Sequence, residues 1–309
     1  MTVQEQWEQY IEGLRTRKRN PVAPTTLDRY TCYWRKWIGP NLGARKVCSV
    51  ENKAMRDFVA VLAKATLAPT TIRAITTVLK DLLSSAVDKN GNELYPRKWN
   101  ADFIDMPVVE KRSMKAPSIG SDALETALER TQSPRMALYA LIAGTGLRIA
   151  EALGIRVGKD DGKGSFWLPA DSKIVIRDQY HGRYGHTPTK TPAGCREVDL
   201  APELNTFLQK HASAEGYLFG GKEPWAISTL ERKVKEDGIP GFHSLRRFRL
   251  THLENQNTPR SLAYFWTGHA DESTHDSYIK LEKEYAARKE WVVKVGLGFR
   301  LPEKIDVDI

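Results

Sequence analysis

Several cationic side chains in this sequence stand where helices begin, and one tyrosine follows them. Gly144-Thr145-Gly146-Leu147-Arg148-Ile149-Ala150-Glu151-Ala152-Leu153 reads as a helix, a glycine turn and a second helix that opens at Arg148. Positive charge is disfavoured at a helix N-terminus, so Arg148 there points to an anionic ligand; the alternative is an exposed arginine paired with Glu151 three residues on. In Phe242-His243-Ser244-Leu245-Arg246-Arg247, His243 and Arg246 share a helix face and can hold one anion together. Arg247 and Arg249 extend that basic character, which a plain solvated helix would also explain. Thr267-Gly268-His269 is followed nine residues later by Tyr278, which beside Ile279 and Leu281 also fits a core or rim position. Lys190 lies in Thr187-Pro188-Thr189-Lys190-Thr191-Pro192, near His181, Arg183 and His186. These hairpin residues could contact a polyanion or face water, and their spacing demands no metal.

The elements that must position these groups fall into two textures. In the first third, Trp7, Tyr10, Ile11 and Leu14 stripe a helix over 3–15, and Leu27, Tyr30, Trp34 and Trp37 stripe a second that Thr25 or Thr26 can cap. Met55, Phe58, Val59 and Leu62 mark a third. A fourth opens near Pro69, carries Ile72, Ile75, Leu79, Leu82, Leu83 and Ala86, and stops at Lys89-Asn90-Gly91-Asn92. The aromatic stripes are read as core, so residues 1–110 form a small all-helical bundle. Residues 111–117 are charged, aperiodic and end in Pro117, which makes them a linker. Residues 118–309 are mixed α+β and mainly helical. Helical patterns cover Asp122–Glu129, Pro134–Ala143, Pro202–His211, Ile227–Glu236, Leu245–Leu253, Arg260–Trp266 and Glu282–Val293. The short stretches Ser165–Leu168, Lys173–Arg177 and Arg196–Leu200 predict a small antiparallel sheet, with Asp178–Thr191 as a long hairpin tip carrying Lys190.

Composition narrows the function classes. Lys and Arg number 47 against 38 Asp and Glu, a net charge of +9, which suggests a polyanionic partner. Residues 1–112 hold 19 Lys/Arg and 12 Asp/Glu, so most of the excess lies in the helical third, densest at Arg15, Arg17, Lys18 and Arg19. No run is long and apolar enough to span a membrane, and Met1-Thr2-Val3-Gln4-Glu5 does not open a secretory signal. Cys32, Cys48 and Cys195 lack metal-ligand spacing, and an odd number argues against a disulfide framework, consistent with a reducing cytosol. Walker A, G-x-G-x-x-G, H-E-x-x-H and G-x-S-x-G motifs are missing, which removes the simplest support for nucleotide hydrolysis, dinucleotide redox chemistry and metallohydrolysis.

Taken in order, Arg148, Lys190, His243, Arg246, His269 and Tyr278 resemble the catalytic set of the tyrosine site-specific recombinases, the phage-integrase family that includes Xer and Cre. The strings that carry the resemblance are Thr145–Leu153, Pro188–Thr191 followed by Arg196–Leu200, His243–Arg246, and Gly268-His269 with Tyr278. Each is weak alone; the ordered combination is specific and spans the whole second domain. The helical first domain resembles the family's core-binding domain, so the likeness covers nearly the entire chain, and it implies that the extra amino-terminal arm-binding domain of larger phage integrases is lacking. Lys173 is the alternative to Lys190, and His275 lies close enough in sequence to touch Tyr278.

The resemblance implies a metal- and ATP-independent reaction without cofactor. Arg148 and Arg246 would neutralise a pentavalent phosphorane through bidentate hydrogen bonds, and His269 would donate to a non-bridging oxygen. Tyr278 would attack phosphorus, helped to lose its proton by nearby cations and His243, because a phenol of pKa about 10 is a weak nucleophile at neutral pH. Lys190 would protonate the leaving 5′ oxygen, and Glu151 would support Arg148 or His243. Implied partners are double-stranded DNA with inverted-repeat core sites, a homotetramer passing through a Holliday junction, and an accessory directionality factor, in a cytoplasmic, nucleoid-associated setting. Arg15, Arg17, Lys18, Arg19, Arg183, Arg247 and Arg249 are the expected DNA contacts. The terminal helix with Trp291-Val292-Val293 would dock on a neighbouring protomer or pack back on its own chain. Alternatives are a type IB topoisomerase, which uses the same residue set, and a non-catalytic DNA-binding regulator on the same fold.

Overall fold

Helical stripes set out by the sequence organise two units, Met1–Met114 and Lys115–Ile309, each with its own core. The computed structural model describes residues 1–109, 117–269 and 281–303. Nearly all of the expected linker, 111–117, lies outside the described residues.

The first unit is all-helical: α1 (Val3–Thr16), α2 (Pro24–Tyr33), α3 (Gly39–Leu42), α4 (Asn52–Lys64), α5 (Pro69–Ser84) and α6 (Ala101–Ile104). Thr2 caps α1 by accepting from the Glu5 amide, and the Glu5 carboxylate accepts from the Thr2 amide in return. The Trp7 and Trp34 rings stack at 4.8 Å with planes 2° apart, so the aromatic stripes are core. The second helix departs from expectation at its start. Ala23 is its cap and Pro24 opens it, leaving Thr25 and Thr26 inside the first turn, because a proline at that position needs no hydrogen-bonded amide. Trp34–Ile38 then continue as a π-turn.

The second unit is built on α8 (Arg135–Thr145), buried at every residue from Met136 to Thr145. A helix apolar all round must be enclosed, and α8 packs against α7 (Ser121–Arg130), α9 (Ile149–Leu153), α10 (Pro202–His211) and α12 (Phe242–Asn255). Between α9 and α10 runs a four-stranded sheet of order β1-β2-β3-β6: β1 (Ile155–Val157), β2 (Ser165–Leu168), β3 (Lys173–Ile176) and β6 (Arg196–Asp199). β2, β3 and β6 pair antiparallel as expected, whereas β1 adds a parallel edge strand, Ile155 opposite Ser165. Its three residues are too few for a period to show in sequence. The remaining helices among the described residues are α11 (Ile227–Glu236), α13 (Arg260–Thr267) and α14 (Tyr285–Val295). Val292 and Val295 of α14 join Leu253, Leu262 and Trp266 in a small core, with Trp291 packed beside it. The terminal helix therefore packs on its own chain. No described helix is long and apolar enough to cross a membrane.

The expected long hairpin tip is itself ordered. β4 (Asp178–His181) and β5 (Gly185–Pro188) form a separate two-stranded ribbon in which Asp178 faces Pro188 and His181 faces Gly185. Lys190 thus follows the ribbon's return strand, while the tip is residues 182–184.

Candidate active site

Two helix ends build the centre of the site. α8 terminates at Gly146 (φ +76°) and α13 at Gly268 (φ +64°), both in the left-handed conformation that favours glycine. Arg148 follows the first cap by two residues and His269 follows the second directly. Arg246, 3% exposed, joins the two ends: one guanidinium nitrogen donates to the Gly146 carbonyl, the other to the Thr267 carbonyl at 2.7 Å. A cation is favoured at helix C-termini, where carbonyls lack partners. Burial, then the neighbouring charge of Arg148, lowers the Arg246 pKa to about 10, so it remains a cation at neutral pH.

Arg148 is held one layer further out. Its Nη1 donates to Glu151 Oε1 at 2.7 Å, its amide to Glu151 Oε2 at 3.0 Å, and its Nη2 to the Gly268 carbonyl at 3.3 Å. Its side chain keeps 32% exposure, so the pairing with Glu151 orients the guanidinium without enclosing it. Glu151 is itself 1% exposed. Burial pushes its carboxyl up, but the charges and hydrogen bonds of Arg196 and Arg148 outweigh that and hold it below the ordinary carboxylate range.

His269 lies against Arg246, whose Nη2 is 3.1 Å from His269 Nε2. Guanidinium can only donate, so Nε2 accepts, and the ring is the neutral tautomer with Nδ1–H directed to Thr267 Oγ1 at 3.3 Å. Burial first, then Arg246 and Arg148, holds its pKa below 6.5. His243 is more exposed, and burial with the charges of Arg247, Arg246 and Arg148 lowers its pKa as well. Arg148, His243 and Arg246 line one cleft of about 610 Å³, together with Gln179 and His181 of β4 and Lys235 of α11. The arrangement presents two fixed arginines and the neutral His243 imidazole to one cleft, with His269 beside Arg246.

The other expected residues distribute differently. Lys190 is exposed and pairs with none of the described residues. Lys173 is engaged by Glu197 at 2.8 Å and lies over the Tyr285 ring, so the geometry separates the two lysines. Of the ribbon histidines, His181 lines the cleft and His186 turns away. His186 Nε2 is 2.9 Å from the Tyr217 hydroxyl, and its Nδ1 is 2.6 Å from Asp178 Oδ2 but poorly aimed along that line. Arg183 is exposed, over the Tyr184 ring. Arg15, Arg17, Lys18 and Arg19 are all exposed at the end of α1 and beyond it. Arg247 donates to the Pro117 carbonyl at 2.9 Å. Arg249 corrects the expectation of a surface contact: it is 2% exposed and donates to the Gly296 carbonyl at 2.6 Å. It stands on the buried stripe of α12 with Phe242, Leu245 and Leu253. Tyr278 and His275 lie outside the described residues. Among the described residues no cluster of three His, Cys, Asp or Glu side chains is placed to hold a metal.

Two charged groups escaped sequence reasoning. Arg196 is buried and contacts Glu151 directly. Its signal was the strand period, which puts it on the face of Val198 and Leu200. Arg288 of α14, 1% exposed, donates to Asp199 Oδ2 at 2.9 Å and to Glu197. The other Asp199 partner is Trp266 Nε1, at 2.7 Å on the same oxygen, which fixes α13 and α14 to β6.

No protein-family model matches the sequence, and no curated protein matches it. Solved structures do. A Tn1549 transposon integrase in complex with transposon right end DNA aligns with a TM-score of 0.63 at 18% identity, covering 93% of this chain and 100% of that one. A lambda integrase dimer bound to a COC′ core site aligns at 0.60 and 16% identity over the whole of both chains. A lambda integrase tetramer bound to a Holliday junction aligns at 0.62 and 14%, covering 89% of this chain and 79% of that one. At these identities the likeness is one of fold: this chain's helical unit followed by a mainly helical unit with a small sheet is the fold it shares with those integrases.

Proposed function

We propose that this protein is a site-specific DNA recombinase of the integrase type, which cleaves and rejoins DNA through a 3′-phosphotyrosyl intermediate. The observation that carries the reading is the convergence of Arg148, His243 and Arg246 on one cleft, with His269 hydrogen-bonded to Arg246. Two arginines and two neutral histidines far apart in sequence meet at one cleft, a set able to bind a phosphate.

In this reading the Tyr278 oxygen attacks phosphorus, the P–O5′ bond breaks, and Lys190 gives its proton to the leaving 5′ oxygen. The phenolic proton passes to His243, whose depressed pKa leaves it neutral and able to accept. Arg148 and Arg246 stabilise the charge that grows on the non-bridging oxygens. His269 joins them once Arg246 turns its N–H to a phosphate oxygen and the imidazole proton shifts from Nδ1 to Nε2, which then donates to that oxygen. These residues supply the charge without a metal step, and the covalent link conserves the bond energy, so rejoining needs no ATP. Exchange on two sites would proceed through a Holliday junction in a homotetramer on inverted-repeat core sites, with direction set by an accessory factor. Residues 1–110 would grip DNA as a core-binding domain, 111–117 would connect, and 118–309 would catalyse.

The test is a nicked suicide substrate carrying the cognate site, with wild type and Tyr278→Phe compared. A covalent adduct with wild type alone is expected; equal adduct from both removes the nucleophile assignment. A two-site plasmid then separates recombination from topoisomerase action: exchanged products are expected, and site-independent relaxation without them would favour the topoisomerase.

A further inference from the structure

We infer that Arg196 is a positioning residue that sets the mutual geometry of Arg148, His269 and Lys190. The inference rests on the recombinase reading and deepens it. The Arg196 side chain is 1% exposed, and its nitrogens reach three different parts of the site, with Nη1 also 3.4 Å from Glu151 Oε1. Nη2 donates to Glu151 Oε2 at 3.0 Å, and Glu151 in turn holds Arg148. Nε donates to the Trp266 carbonyl at 2.8 Å, in the last turn of α13 before Gly268 and His269. Nη1 donates to the Gly194 carbonyl at 2.8 Å, in the turn that follows Lys190.

Packing tightens the same three links. A Cβ on Gly268 would lie 2.6 Å from Arg196 Nη1, so the chain before His269 rests directly on the guanidinium. A Cβ on Gly194 would lie 2.5 Å from Thr189 Cβ, which seats the residue beside Lys190 on the turn that Arg196 holds. Lys190 itself is exposed, so its placement comes from the backbone on either side: Pro188 paired with Asp178, and Gly194 tied to Arg196. A planar fork with donors at fixed angles can serve three directions at once; a lysine ammonium cannot hold that geometry. Arg196 touches no reacting atom in this account. It acts by keeping three reacting groups in register, where a misplacement of about 1 Å costs roughly 100-fold in rate.

The experiment uses full-length Arg196→Lys, with adduct formation measured at saturating DNA on two nicked substrates, one ordinary and one with sulfur in place of the bridging 5′ oxygen. A thiolate leaves without needing a proton, so the second substrate removes the demand on Lys190 alone. We expect wild-type DNA affinity, an adduct rate about 100-fold lower on the ordinary substrate, and partial recovery on the sulfur substrate. Full recovery would confine Arg196 to Lys190 and overturn the three-way role. An unchanged saturating rate, with any loss confined to DNA affinity, would overturn it too. If Arg196→Lys does not fold, Arg196→Gln combined with Glu151→Gln removes both members of the buried ion pair together; a wild-type rate from that variant would equally overturn it. Absence of any Tyr278-dependent adduct from wild type would sink the recombinase reading itself, which keeps the two failures apart.

Discussion

The two units hold positive charge in opposite ways. In the first, the basic run Arg15, Arg17, Lys18 and Arg19 is fully at the surface, and no charged side chain among the described residues is buried. In the second, Arg196, Arg246, Arg249 and Arg288 are each under 7% exposed and fixed by carbonyls or carboxylates, beside the buried acids Glu151 and Asp199. Surface charge attracts a polyanion over a distance set by salt and tolerates imprecise placement. Buried charge is costly to desolvate, and the geometry that compensates for it also fixes its direction. The first arrangement suits grip, the second suits chemistry on a single phosphate.

The sharpest way to break this contrast is at Arg246. Arg246→Met should lower the saturating adduct rate about 1,000-fold, as loss of a preorganised donor does. It should also cost roughly 2–3 kcal/mol of stability, since the Gly146 and Thr267 carbonyls lose a charged donor. Stopped-flow or quench kinetics with denaturant titration reads both, and a variant weakened only in DNA affinity would contradict the contrast. Neutralising Arg15, Arg17, Lys18 and Arg19 together to Gln should do the reverse. DNA affinity falls, and the slope of log affinity against log salt shrinks by roughly one for each phosphate that is no longer neutralised, while the rate at saturation stays within about twofold. The smallest effect is in pH. His243 and His269 have folded pKa values below 6.5, so the unfolded chain takes up their protons first as pH falls. Their contribution to stability is complete above 6.5 and is lost below it, through the depressed folded values. Melting temperature should therefore fall more gently as pH drops below 6.5 in His243→Gln/His269→Gln than in wild type.

Much of this was legible because it follows local rules. The stripes through Trp7, Met55, Ile72 and their neighbours are core, and Arg148 opens α9 with Glu151 one turn on. Long-range choices were harder to see. The sequence displays Arg246 and Arg249 as similar members of one basic helix, yet Arg246 lines the cleft and Arg249 is sealed against Gly296. The buried stripe of α12, with Phe242, Leu245 and Leu253, is the one local clue that sets Arg249 apart. Arg196 and Arg288 hid for the same reason: each occupies a core-facing position in its element, where an arginine is unexpected unless several partners await it. Those partners, Glu151 and the Trp266 carbonyl for Arg196 and Asp199 for Arg288, come from remote segments that no local pattern connects. β1 is too short at three residues for a period to show, and the β4–β5 ribbon reads only as a hairpin tip because its partly buried polar residues leave no apolar alternation.

The central claim is a covalent bond between Tyr278 and the 3′-phosphate of a cleaved strand. Trapping wild-type protein on a nicked cognate site, digesting the adduct and sequencing the nucleotide-bearing peptide by mass spectrometry measures it directly. The account predicts a phosphotyrosine at Tyr278 joined to the 3′ side of the break, with a free 5′-hydroxyl on the released fragment. A link through another residue, or a 5′-phosphate on the protein, would contradict it.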